Sequence, residues 1–429
     1  VSGRVLIAPF GTTGDVHPLV AVGAALRERG VEVLFVVWER FRRTVERAGL
    51  PCETIEREMT WDRVVAEARG HALGVRGATP ASERWFWQTE RRAVETLPIA
   101  RAFAPDAVLG NAVSLHAMVV ADALGAPWVC AAMSPRDLLS VDDPPVLGSR
   151  WRTDLMPRWR RRLVLWGAVA LTSWWFDGPT NRARRACGTR RRFGNYYLRP
   201  TRGAATIALF SPALRGPARD DPPGLTFAGF TWHDRSGEFG AGAGGLDAGL
   251  ERFLDAGEPP VIVSPGTVKA HAAPELFELA LDACRRIGRR VVLVTGEPHA
   301  GRFDGLPDAH RVDYAPYSAL MPRGAMVVHH GGTGTLSWAL RARRPMVVTP
   351  MAYDQFDHAA RLERLGVALA EPLRGATAGA LAARMDRVLR EPGFAERAAA
   401  LGAVVGREDG AAAAADRIAA MLPGAGASP

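Results

Sequence analysis

The amino-acid sequence predicts an α/β protein of two doubly wound parallel-sheet halves that face each other across a cleft. Two observations carry this expectation. Short apolar runs alternate with amphipathic helical patterns, which implies parallel strands covered by helices on both faces. The alternation restarts after Ser236–Gly245, where five of ten residues are glycine and little can be buried. The expected division is a first half over 1–235, a linker over 236–246 and a second half over 247–429, whose last helix packs back on the first. A chain of 429 residues suits two or three cores better than one.

The elements follow in order. Val5–Phe10 is an apolar strand, followed by a glycine-rich turn and an apolar-periodic helix over Pro18–Arg29 that Gly30 stops. Val31–Val37 is the next strand. Pro105–Leu109 leads into a helix over Ser114–Leu124 and then a strand at Trp128–Ala131. Asp137–Arg202 carries tryptophan and arginine clusters and no clear strand. In the second half Val261–Ser264, Val291–Val294, Met326–His329 and Pro345–Thr349 read as buried strands, with a helix near Pro274–Arg286. Sheets of this kind bind ligands at the carboxyl ends of their strands.

Composition narrows the partners. The formal charge of +9 comes from 54 basic and 45 acidic residues, but Lys269 is the only lysine. Such arginine use, with abundant alanine and glycine, reflects codon bias more than nucleic-acid binding. No aromatic RNA-binding signature or zinc spacing supports a nucleic-acid partner. Cys52, Cys130, Cys187 and Cys284 are scattered without a close pair, as expected of reduced cysteines in a cytoplasmic protein. The strand-like opening at Val5–Phe10 sets the expectation of a protein that is not secreted, and Leu163–Phe176 is too short to span a bilayer. Arg158, Arg160, Arg161 and Arg162 beside Trp159 and Trp166 read first as a solvated helix face; contact with a membrane surface is the less favoured reading.

The sharpest motif is His329-His330-Gly331-Gly332-Thr333-Gly334-Thr335, directly after an apolar strand. Glycines at a strand-to-helix turn let backbone amides approach an anion, and the helix N-terminus adds about half a positive charge. Its spacing fits neither the dinucleotide fingerprint nor the P-loop. Asp354 and Gln355 stand at a second strand-to-helix junction, where a carboxylate beside a carboxamide suits sugar hydroxyls. No Asp-x-Asp triplet occurs, so no divalent metal is expected, and no other cofactor is indicated.

Tyr314-Ala315-Pro316-Tyr317, the His330–Thr335 turn and Asp354-Gln355 together resemble, in order and spacing, the donor-binding region of glycosyltransferase family 1, whose members have the GT-B fold of two Rossmann-like domains. The resemblance is nearest to bacterial antibiotic, sterol and rhamnosyl transferases. It implies that Tyr314 stacks on the nucleobase, and that His330, Gly331, Gly332, Gly334 and Thr335 hold the diphosphate. Asp354 and Gln355 would hold the sugar, and Thr267 lies in a second phosphate-side loop after Ser264. Uridine-selective relatives often carry a ribose-binding glutamate where this chain has Trp338, so a thymidine diphosphate sugar stands level with a uridine one.

The first turn, Phe10-Gly11-Thr12-Thr13-Gly14-Asp15-Val16-His17-Pro18, has Asp15 where many relatives carry a catalytic histidine. The resemblance implies Asp15 as general base ahead of His17. Asn111, at the usual place of the histidine's aspartate partner, would orient a group without compensating an imidazolium. Trp61, Trp85, Trp87 and Asn111 are the candidate acceptor-binding residues, suited to a bulky, partly apolar molecule. The expected function is therefore inverting, metal-independent transfer of a sugar to a hydroxyl of an antibiotic-type natural product. A membrane-associated sterol or glycolipid transferase, a nucleotide-sugar epimerase and a catalytically silent sugar-nucleotide-binding homologue are the alternatives. The partners implied are a nucleotide sugar and a small acceptor; the sequence does not fix the oligomeric state.

Overall fold

A computed structural model describes residues 3–56, 88–147, 152–189, 194–195, 198, 200–233, 245–266, 274–296 and 301–423. Trp61, Trp85, Trp87 and Thr267 lie outside these residues, as does most of the glycine-rich linker. The chain forms two parallel sheets. The first holds β1 (Arg4–Ile7), β2 (Glu32–Trp38), β3 (Cys52–Ile55), β4 (Ala107–Asn111), β5 (Trp128–Ala132), β6 (Ala205–Ala208) and β7 (Leu225–Phe227), in the order β3-β2-β1-β4-β5-β6-β7. The second holds β8 (Val261–Ser264), β9 (Val291–Val294), β10 (Ala309–Val312), β11 (Met326–His329), β12 (Met346–Val348) and β13 (Ala368–Ala370), ordered β10-β9-β8-β11-β12-β13. This is the expected pair of Rossmann-like domains.

The described helices are α1 (Thr13–Glu28), α2 (Arg42–Arg47), α3 (Thr89–Phe103), α4 (Leu115–Leu124), α5 (Arg158–Ala186), α6 (Ala248–Asp255) and α7 (Glu275–Arg286), then α8 (Tyr317–Leu320), α9 (Thr333–Arg341), α10 (Gln355–Arg364), α11 (Ala378–Arg390), α12 (Pro392–Val405) and α13 (Gly410–Ala419). Alternation along β1 explains the layering. Val5 and Ile7 point to one face, where they pack with Leu19, Leu26 and Ile418. Leu6 and Ala8 point to the other, with Ala93, Ala100 and Val119. Each fully buried Val, Leu or Ile of these clusters contributes about 1.5–3 kcal/mol. After crossing the second sheet the chain returns: Ala414, Ala415 and Ile418 of α13 join the first-domain core, and Arg29 bonds Asp416 at 2.6 Å.

Three local expectations are corrected. The first helix begins at Thr13 rather than Pro18, because Thr12 and Asp15 form a capping box that nucleates it one turn earlier. The helix after the histidine–glycine turn, which the sequence places over Leu336–Arg341, begins at Thr333, so Gly334 and Thr335 lie inside its first turn. The segment with no clear strand, where a solvated helix face was expected at Arg158–Arg162 beside Trp159 and Trp166, contains the 29-residue α5, which runs on to Ala186. Its tryptophans and arginines alternate around much of the helix, so no single apolar stripe announces a core face. Among the described residues no helix is long and apolar enough to cross a membrane.

Candidate active site

In each sheet the strand order reverses at one point, between β1 and β4 in the first and between β8 and β11 in the second. Crevices open at such points because the connections leave to opposite faces. Asp15 follows β1 and Asn111 ends β4. Gly266 follows β8 and His330 follows β11. The expected base and the expected phosphate turn therefore sit at the two switch points.

The Asp15 carboxylate is tightly arranged. Its Oδ2 accepts from the Thr12 amide at 2.7 Å and the Thr12 hydroxyl at 3.3 Å, and its Oδ1 accepts from Asn111 Nδ2 at 2.9 Å. Gly11, at φ +132°, permits this: a Cβ there would collide with the carboxylate. Burial, helped by the nearby negative charge of Asp354, pushes the Asp15 pKa up to about 6 against the opposing bonds from Thr12 and Asn111. Asn111 is 1% exposed. Its Nδ2 also donates to the Phe10 carbonyl at 2.8 Å, while its Oδ1 accepts from the Phe10 amide at 3.0 Å and from the Ser114 hydroxyl. This places Asn111 behind Asp15 rather than toward an acceptor. His17, two residues further along α1, packs edge-on against His233 with centroids 5.0 Å apart.

A third carboxyl, which the sequence did not single out, stands beside these two. Asp137 lies in a 3-10 turn after β5, accepting from the Met133 and Ser134 amides at 2.8 and 3.1 Å. Burial, with Asp354 and Asp15 close by, pushes its pKa up to about 7. Asp354 comes from the other domain. It occupies the N-cap position of α10, yet its side chain makes no capping bond. Its carboxylate stands 3.9 Å from His358 Nδ1 and near enough to Asp15 and Asp137 for its charge to raise both of their pKa values. Gln355 is 5% exposed, and its Oε1 accepts from the Met351 and Ala352 amides at 2.9 and 3.2 Å, fixing the loop that carries Asp354.

The expected phosphate turn is built around two histidines in different surroundings. His329 is fully buried, and its Nδ1 accepts from the Gly331 amide at 3.0 Å. Burial drives its pKa down to about 3, so it stays neutral and serves the turn's geometry. His330 points the other way and its ring lies between Gly266 and Gly332, at either of which a Cβ would collide with it. At Gly334 a Cβ would meet nothing within 4 Å among the described residues beyond its own stretch of helix. The outer side of the first turn of α9 is therefore uncovered at Gly334, while Thr335 is 5% exposed, and the unpaired amides of this turn lie at the carboxyl edge of β11. Tyr314 follows β10 at the same carboxyl edge and is half-buried; Tyr317 hydrogen-bonds the Ser264 hydroxyl.

One histidine ties the two halves together. His358 of α10 is fully buried, with Nδ1 2.7 Å from the Gly331 carbonyl and Nε2 3.1 Å from the Ser134 hydroxyl. A carbonyl can only accept, so Nδ1 carries the proton; in the neutral ring Nε2 then accepts from Ser134. Beside it Asp357 Oδ1 accepts from the Val146 amide at 3.0 Å, and Arg361 reaches Asp357 and Asp143 at 2.8 Å each. The contacts to Ser134, Val146 and Asp143 each span more than two hundred residues of sequence, which hides them from any local pattern.

Trp338 turns away from the phosphate turn. It packs edge-on against Trp232 at 5.2 Å, with the Arg341 guanidinium 4.3 Å from the Trp232 ring centre. A pocket opens beside Gly11 in the first domain, walled by Phe10, Val37, Trp38, Phe41 and Ile55. Its floor is polar: Arg92 and Glu56 pair at 2.7 Å, both nearly fully buried, next to His116, whose pKa burial lowers to about 3. These pocket residues are scattered between β1 and α4, so only the fold could assemble them. Among the described residues no three metal-capable side chains gather into a metal site.

Known proteins share this architecture. The N-terminal domain of glycosyltransferase family 28 matches residues 5–131, and the C-terminal domain of the erythromycin biosynthesis protein CIII-like family matches residues 278–419. The O-mycaminosyltylonolide 6-deoxyallosyltransferase of Streptomyces fradiae is 34% identical over 430 residues, covering 95% of this chain and 94% of its own. Two solved structures share the fold. The glycosyltransferase of kitacinnamycin has a TM-score of 0.71 at 21% identity, covering 99% and 100% of the two chains. The spinosyn rhamnosyltransferase complexed with thymidine diphosphate has a TM-score of 0.64 at 20% identity, covering 96% and 98%. With a matching family domain on each half and a 34% identical relative along almost its whole length, this chain belongs to the GT-B glycosyltransferases of the family 28 and erythromycin CIII-like type.

Proposed function

We propose that the protein transfers a sugar from thymidine diphosphate to a hydroxyl of a bulky, partly apolar natural product, inverting the anomeric centre and needing no metal. The observation that carries this reading is the opposition of Asp15, on one switch point, to Asp354 and the open first turn of α9 on the other. Asp15 accepts the acceptor's hydroxyl proton as that oxygen attacks the anomeric carbon. The bond from that carbon to the diphosphate breaks on the far side, so a single displacement inverts. A pKa near 6 leaves Asp15 ionised at neutral pH while making it a stronger base than an ordinary carboxylate. The departing diphosphate is stabilised by the α9 amides, His330 and Thr335, which supply positive potential where charge develops.

Thymidine is favoured over uridine because Trp338, engaged with Trp232, offers no carboxylate for a ribose 2′-hydroxyl; the related spinosyn enzyme binds thymidine diphosphate. The pocket beside Gly11 takes the acceptor, with Trp38 and Phe41 as its apolar walls. The relative acting on O-mycaminosyltylonolide supports an acceptor of this kind. The test is thermal stability against a panel of nucleoside diphosphates for the wild type and His330→Ala, followed by an acceptor screen. Stabilisation by thymidine diphosphate, lost in the variant, is expected, as is nucleotide release only when an acceptor is present. Release without acceptor would point to epimerase or hydrolase chemistry instead.

A further inference from the structure

The pocket beside Gly11 combines apolar walls with a buried polar atom that has nothing to bond. His116, from the first turn of α4, lines this pocket and is 2% exposed. Its Nε2 is buried and has no hydrogen-bond partner among the described residues. Burial, with the Arg92 charge beside it, lowers the His116 pKa to about 3. The ring is therefore neutral and carries one donor and one acceptor nitrogen. A buried polar atom without a partner costs stability, and native structures rarely keep one without a reason.

The groups around His116 are held firmly in place. Glu56, just past β3, has left-handed backbone at φ +54°, which a non-glycine residue seldom adopts. Its amide donates to Glu95 Oε2 at 2.9 Å, and its carboxylate pairs with Arg92 at 2.7 Å, both side chains nearly fully buried. The Arg92 guanidinium lies 4.1 Å from the Phe10 ring centre. Asn111, which bonds Asp15, also holds the Phe10 backbone. The pocket floor and the expected base therefore share one frame. Charge on that floor cancels between Glu56 and Arg92, and His116 is neutral. An ionic substituent would be buried there without a counter-charge, at high cost. A hydroxyl fits instead, because it both donates and accepts and so matches either tautomer of the imidazole.

We propose that His116 sets acceptor specificity: its Nε2 bonds a second, unreactive hydroxyl of the acceptor and selects molecules that carry one. This deepens the assignment of the pocket to the acceptor and rests on it. Phenol and toluene, similar in shape and different in one hydroxyl, are the probes. An apolar pocket prefers toluene, because the phenol hydroxyl loses its water on entry. The wild type should instead bind phenol at least about ten-fold tighter, by titration followed by nuclear magnetic resonance. Phenol should also shift one imidazole nitrogen resonance, the one missing from His116→Phe, which a packing role alone would not produce. His116→Phe should abolish the preference while still binding toluene. His116→Gln, which keeps a donor and an acceptor, should restore most of it. With a hydroxylated acceptor that turns over, His116→Phe should raise KM more than it lowers kcat. Equal or weaker phenol binding by the wild type, or a phenol preference that survives in His116→Phe, overturns the proposal. If thymidine diphosphate binding and acceptor-dependent release persist in that case, the sugar-transfer reading stands without it. A His116-dependent phenol preference without acceptor-dependent release would keep the hydroxyl site and remove the transfer reading.

Discussion

The Asn111 amide donates to the Asp15 carboxylate at 2.9 Å while its other bonds lock it to the Phe10 backbone. Asp15 is thus held by a neutral donor. A histidine base would need an anionic partner to stabilise its charged form, whereas a carboxylate base needs only orientation and partial desolvation. Burial supplies the second of these and raises the pKa to about 6.

Activity should therefore fall as pH drops through about 6, with kcat/KM following the ionised fraction of Asp15. Asp15→Asn should lower kcat by about 10²–10⁴-fold while leaving nucleotide binding intact. Stability gives the opposite sign. A carboxyl whose folded pKa lies above its unfolded value of 3.8 favours folding at low pH and loses that contribution as pH rises through about 6. Asp15→Asn should accordingly stabilise the protein by about 1–3 kcal/mol at pH 8, with no gain at pH 3, by chemical denaturation at the two pH values. A flat acid limb in the wild type would exclude Asp15 as the base.

Asn111→Asp sets a second carboxylate against Asp15 in place of a donor. The acid limb of the pH profile should move to higher pH, by about one unit or more. Asn111→Ala should lower kcat with a smaller displacement of that limb. An unchanged profile in Asn111→Asp would mean that the limb belongs to another group, of which Asp137, raised to about 7, is the nearest.

The notch that holds His330 gives a test of the phosphate turn. Gly332→Ala drives a methyl into the imidazole and should displace it without touching the α9 amides. At a concentration 100 times the dissociation constant, thymidine diphosphate should stabilise the wild type by ~2.7 kcal/mol. Both Gly332→Ala and His330→Ala should lose most of that increment, as read by thermal shift. Retention in both would remove His330 from the diphosphate site.

Ser134 and His358 join the domains beneath the cleft. Ser134→Ala leaves a buried imidazole nitrogen without its partner and should cost about 1–3 kcal/mol in urea unfolding. Because His358 also holds the Gly331 carbonyl, His358→Phe should raise the nucleotide dissociation constant as well as destabilise. If His358→Phe binds nucleotide like the wild type, the linkage between interface and turn is purely structural.

EDTA should leave turnover unchanged under the proposed mechanism, in which the turn itself supplies the positive potential at the diphosphate. Restoration of EDTA-treated enzyme by a divalent cation would overturn this, and atomic emission on the purified protein would identify the ion.

Much of this protein is legible along the chain because its governing interactions are local or periodic. Val261–Ser264 and Val291–Val294 read as buried strands because both faces of a parallel sheet are covered. The His329–Thr335 turn, the Asp354-Gln355 junction and the Gly11–Asp15 turn are each complete within a few residues, so their chemistry is written in order. What the tertiary structure alone decided depends on residues brought together from afar. Asp137 became a site residue only once packing buried it and set Asp354 and Asp15 beside it. His329 and His330 are neighbours in sequence, and only burial tells the neutral turn-holder from the ring facing Gly266. Of helix α5 only the start at Arg158–Trp166 was legible, because tryptophan and arginine share its outer surface and sequence periodicity reports burial in the chain's own core.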